Sequence, residues 1–110
     1  MVLRLSSKEQ AVVTEIKNLF QAKFPVEKFV VFGSVARGEA TKESDLDLLV
    51  LTGRPMSHRE KHAMYDLVFE VNLARDTNVS ILVVDRATWE TGFLSALPLY
   101  EEVARDGIIL

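Results

Sequence analysis

Apolar residues recur at helical spacing at Val12, Ile16, Leu19 and Phe20, which predicts a helix from about Ser7 to Lys23, closed by Pro25. Ser7, with Gln10 three residues on, has the spacing of a capping box and is the expected N-cap. The period then changes. Lys28–Phe32 is dense in β-branched and aromatic residues and predicts a strand that stops at Gly33-Ser34. Val35 to Lys42 predicts one or two helical turns and a loop. Leu46–Leu51 predicts a second strand, broken by Gly53-Arg54-Pro55. Ser57 and Glu60 form another capping box, opening a long helix to about Arg75 with Met64, Leu67, Val68 and Val71 as its buried stripe. Val79–Val84 predicts a third strand. Asp85 is the expected cap of a helix reaching about Ala96, Pro98 opens a last short helix, Gly107 ends it, and Ile108–Leu110 predicts an edge strand.

This order of elements, α-β-α-β-α-β-α-(β), predicts an α/β or α+β fold with one sheet covered by helices and more helix than strand. A length of 110 residues without repeat, linker or low-complexity stretch predicts a single domain over 1–110. With 48% hydrophobic and 26% charged residues the chain can build a core without staples. The absence of cysteine removes disulfides and thiolate metal sites and suits a cytoplasmic location. No apolar run approaches the roughly 18 residues of a membrane span. The first ten residues lack the h-region of a signal peptide. A net charge of −3 without a dense basic stretch argues against a general nucleic-acid binder, while a basic patch made only by folding stays open.

The chemistry concentrates in residues 29–51. Asp45 and Asp47 alternate with Leu46, so on a strand both point the same way, with attachment points roughly 6.5–7 Å apart. Two carboxylates so close repel, and a hard divalent cation relieves that repulsion. Alone, such a pair is more often a cap and a solvent-facing residue than a metal site. Gly33 at a strand end allows close backbone approach to a ligand, the amides beyond it can face a phosphate, Ser34 adds a hydroxyl, and Arg37 lies near the same end. Alone, this is more often an ordinary strand-to-helix turn.

The combination is sharper. Gly33-Ser34, ten residues, then Asp45-Leu-Asp47, with Ala36-Arg37-Gly38 and Ser44 inside, resembles the GS-x10-DxD signature of the polymerase-beta-like nucleotidyltransferases, the superfamily of DNA polymerase beta and kanamycin nucleotidyltransferase. The short chain is most similar to minimal nucleotidyltransferase (MNT) domains, and Trp89, Leu99-Tyr100 and Arg105-Asp106-Gly107 extend the likeness loosely to the full length. The resemblance implies a small mixed sheet flanked by helices. It implies nucleotide binding by Gly33, Ser34, Arg37 and Ser44, and magnesium, two ions with nucleotide bound, on Asp45 and Asp47, which are also the implied catalytic residues. The implied reaction transfers a nucleoside monophosphate, AMP from ATP, to a hydroxyl, as in MNT antitoxins that modify a HEPN-type toxin partner. A homo-oligomer stays open. So does a catalytic half whose acceptor site comes from a second subunit.

The sequence departs from the family at the third acidic position, on the strand Val79–Val84. Alternation puts Ser80 there, and Asp85 lies at the far end as a helix cap. This favours an alternative: a weak or inactive MNT domain that binds a HEPN-type partner. His58 and His62 share a helix face, but Arg59 stands where a zinc protease motif needs glutamate, so a solvated face is expected. Trp89, Phe93, Leu97 and Tyr100 have the spacing of an apolar helix stripe, expected in the core with part open to a partner, and Glu101-Glu102 is expected in solvent.

Overall fold

The computed structural model describes residues 5–39, 45–92 and 94–110. The first helix, α1 (Ser7–Lys23), is capped one residue earlier than the sequence suggests. Ser6 Oγ accepts from Glu9 N at 3.1 Å, and Glu9 Oε1 accepts from Ser6 N at 2.9 Å. Two capping boxes overlap here, and the one that places a carboxylate in the first turn wins, as the positive end of the helix dipole favours. Gln10 instead donates to the Leu5 carbonyl at 3.3 Å.

The chain continues as β1 (Val26–Phe32), α2 (Gly33–Arg37), β2 (Leu46–Thr52), α3 (His58–Arg75), β3 (Val79–Asp85), α4 (Arg86–Glu90), α5 (Pro98–Asp106) and β4 (Ile108–Ile109). The Ser57–Glu60 box opens α3 as expected. Asp85 caps α4, accepting from Thr88 N at 2.9 Å. The helix expected to reach Ala96 ends at Glu90, because the chain turns at Gly92, a poor residue for a helix interior. Leu97 is exposed, so the expected apolar stripe is not a continuous core face, and its Phe93 lies outside the described residues. Trp89 does meet Tyr100, ring centres 4.7 Å apart.

The four strands form one mixed sheet in the order β3-β2-β1-β4. β2 and β3 run parallel, and β1 is antiparallel to both β2 and β4. Alternation along the strands divides the core. Phe29, Val31, Leu46, Leu48, Val50, Ile81 and Val83 face α1 and α3, where Ile16, Phe20, Met64 and Val68 close over them. Val30, Phe32, Leu49 and Leu51 face the other way, against Val103 of α5 with Trp89 and Leu99 nearby. The side-chain amide of Asn72 on α3 clamps the start of β3: it donates to Val79 O and accepts from Val79 N, both at 3.0 Å.

The outer face of α3 carries an exposed stripe of Tyr65, Phe69 and Leu73 at 42%, 63% and 69% exposure, large apolar side chains one turn apart. No helix among the described residues is long and apolar enough to cross a membrane.

Candidate active site

Three strand positions meet at one level of the sheet. Phe32, the last residue of β1, pairs with Asp47 on β2, and Asp47 pairs with Ser80 on β3. Asp47 alternates with the buried Leu46 and Leu48, so it shares the face of Leu49 and Leu51, the side covered by α5. Asp45 immediately precedes β2 and is exposed, whereas Asp47 is half-buried.

The chain turns from β1 into α2 at Gly33, whose φ of 76° favours glycine. A methyl group built there would run into the Asp47 carboxylate. The fold thus brings both halves of the sequence motif into contact. No side chain among the described residues caps α2, whose N-cap is Phe32, so the amides at its start have no side-chain acceptor there. Ser34 sits in this first turn, half-buried.

Arg37 closes α2. Its Nη1 donates to Glu102 of α5 at 2.7 Å, its Nε donates to Glu39 at 3.2 Å, and Asp106 lies 4.0 Å from Nη1. Glu102 is therefore not the solvated residue expected from sequence. It is half-buried against Arg37, while Glu101 is exposed. A signal was there: Glu102 and Asp106 stand four apart and share a helix face, flanking the apolar Val103. Ser44 lies outside the described residues.

Burial is the main force raising the Asp47 carboxyl above the usual carboxylate range. The negative charges of Asp45 and Glu102 add to it, and only Arg37 opposes. Asp47 thus carries an incompletely compensated charge, which suits a hard cation. Among the described residues no group of three or more His, Cys, Asp or Glu is placed to hold a metal. A cation on Asp45 and Asp47 would complete its shell from other oxygens, as magnesium does with phosphate and water.

Asp85 is remote from this level, pairing with Thr52 at the other end of β3. The Thr88 hydroxyl, donating at 2.7 Å, holds its carboxyl below the ordinary range, so Asp85 serves the α4 cap. His62, on the solvent side of α3, lies 3.5 Å from Asp66, on the opposite side of the sheet from Asp47.

A model of the nucleotidyltransferase domain family matches residues 13–101. The chain belongs to that family, the polymerase-beta-like nucleotidyltransferases. A Methanocaldococcus jannaschii relative, "Putative protein adenylyltransferase", is 28% identical over 78 residues, covering 71% of this nucleotidyltransferase and 78% of the relative. The solved structure of a "putative minimal nucleotidyltransferase" superposes with a TM-score of 0.61 and 31% identity, over 92% of this chain and 91% of that one. A chain in the Shewanella oneidensis complex of a tri-AMPylated HEPN toxin with an MNT antitoxin superposes at 0.55 with 19% identity, over 91% of this chain and 69% of that one. At that identity the likeness is one of fold. The mixed sheet with flanking helices is the nucleotidyltransferase fold.

Proposed function

We propose that this nucleotidyltransferase transfers AMP from magnesium-bound ATP to a hydroxyl on a protein partner of the HEPN toxin type, within a single domain over residues 1–110. The observation that carries this reading is the close approach of the Asp47 carboxylate to Gly33, which puts the charged pair beside the uncapped start of α2. In this reading the amides of the Gly33-Ser34 turn and the Ser34 hydroxyl bind the triphosphate. Arg37 adds its guanidinium and Ser44 a further hydroxyl. Asp45 and Asp47 are the residues that would hold magnesium, and two carboxylate donors with phosphate oxygens fit that ion. When bound, the metal supplies positive charge that stabilises the oxygens at the reacting phosphorus.

The acceptor oxygen bonds to the α-phosphorus, the bond from that phosphorus to the bridging oxygen breaks, and pyrophosphate leaves with the electron pair. The acceptor proton leaves as well, to water or to the departing pyrophosphate. Ser80, the side chain beside Asp47, stays protonated at neutral pH and cannot take it. The adenylyltransferase relative and the AMPylated toxin complex support AMP as the transferred group and a protein as acceptor. The exposed Tyr65–Phe69–Leu73 stripe on α3 supports a protein partner, and because α3 covers the face of the sheet away from Asp47, such a partner would have to reach around the sheet end to present its hydroxyl.

The position of Ser80 favours a second reading, in which the domain binds nucleotide and partner but transfers slowly or not at all. One experiment separates the two. The chain is incubated with magnesium, ATP and the protein encoded beside it, and both proteins are weighed by mass spectrometry. The first reading expects the neighbour to gain one or more AMP masses. An unmodified neighbour in a stable complex supports the second.

A further inference from the structure

Glu102 on α5 accepts from Arg37 Nη1 at 2.7 Å, and Asp106, four residues on, lies 4.0 Å from the same nitrogen while accepting from Arg105 at 3.0 Å. The Arg37 and Glu102 side chains are each 31% exposed and Asp106 is 17% exposed, so water screens this cluster less than it screens a surface pair. The helix that carries Glu102 is anchored. Val103, the next residue, is buried against Val30, Phe32, Leu49 and Leu51, and Tyr100 stacks on Trp89. Beyond α5, β4 pairs with β1. Glu102 thus acts from a fixed platform on a long side chain whose other hydrogen-bond partner, Glu39, is exposed. Arginine has a large rotamer entropy, and ordering it before a ligand arrives removes part of that cost from binding.

We propose that Glu102 is a positioning residue of the nucleotide site: it orients the Arg37 guanidinium toward the phosphates, making α5 part of the triphosphate grip. This rests on the nucleotide-binding reading above. The competing account is that the pair merely ties α5 to α2.

Calorimetry with magnesium-ATP, read beside melting curves of the full chain, distinguishes them. E102A loses affinity on the order of tenfold, a mid-range coupling for residues in contact. E102Q keeps an acceptor oxygen at the same reach and retains most of the affinity. R37A loses at least as much as E102A, and R37A/E102A binds no more weakly than R37A, because Glu102 acts only through Arg37. A structural tie predicts the same non-additivity but a lowered melting temperature in E102A that tracks its loss of affinity. A positioning role predicts lost affinity at a parent-like melting temperature, and an E102A loss that tracks melting overturns the proposal. Tighter or unchanged binding by E102A overturns the proposal, as does a further loss in the double variant. Melting curves verify the fold. Should E102A not fold, E102D gives the same cycle: the charge stays, the reach shortens by one methylene, and parent-like affinity overturns the proposal. A parent chain that binds no magnesium-ATP fails the nucleotide reading and this proposal together. A parent that binds, with E102A binding equally well, fails this proposal alone.

Discussion

Asp47 and Ser80 stand side by side across the parallel pair β2–β3, a carboxylate and a hydroxyl at the same level of the sheet. Ser80 is exposed, so a longer side chain fits there. Ser80→Asp is expected to raise the rate of AMP transfer to the partner, by adding a base near the acceptor and a third metal ligand. The added charge also repels Asp47, so the variant should gain more thermal stability from magnesium than the parent does. If neither transfer nor the magnesium response changes, the third acidic position lies elsewhere.

Asp47→Asn should abolish transfer and leave the fold intact. Without metal it should also stabilise. The Asp47 carboxyl titrates above its ordinary value because burial and Asp45 disfavour the charged form. Its contribution to stability is therefore present below the ordinary carboxylate range, about pH 4, and is lost as pH rises through the raised folded value. In a chelator at pH 7 the asparagine variant should melt above the parent, and the two should converge below about pH 4. A parent that melts higher at pH 7 without metal would contradict an uncompensated charge at Asp47.

Gly33→Ala and Gly38→Ala separate strain from contact. Both glycines have positive φ, 76° and 73°, so either alanine should lower stability by roughly 1–2 kcal/mol, the cost of a left-handed non-glycine residue. At Gly33 the new methyl also collides with the Asp47 carboxylate, whereas at Gly38 it meets no atom within 4 Å among the described residues. Denaturation curves should therefore show a loss for both. Calorimetry should show lost magnesium-ATP binding for Gly33→Ala alone. Equal binding by the two variants would detach Gly33 from the site.

Much of this was legible because local chemistry and tertiary structure agree. Ser57–Glu60 starts α3 where the spacing says, and β2 forms where the run Leu46–Leu51 predicts it, with Asp47 near its start. The misreadings came where two local solutions compete or where the partner is distant. Ser6–Glu9 and Ser7–Gln10 have the same spacing, and only the formed helix shows which is used. Ser6→Ala should accordingly cost about 1 kcal/mol in chemical denaturation and Ser7→Ala much less. A larger cost at Ser7 would return the cap to that residue. Glu102 looked solvated because its partner Arg37 lies 65 positions away: the spacing of Glu102 and Asp106 hints at a shared face but does not say what that face meets. The end of α4 was missed because a single glycine decided against a plausible apolar period.

The Asn72 amide gives Val79 the donor and acceptor that a neighbouring peptide would give. It is a phase lock on β3. A slip by one residue would send Ser80 toward the core and set the isopropyl group of Val79 beside Asp47. With the phase locked one residue upstream, whatever side chain occupies position 80 is delivered to the same place next to the carboxylate. The chemical competence of the sheet end is thus a single-letter variable, free to change from hydroxyl to acid without realigning any strand.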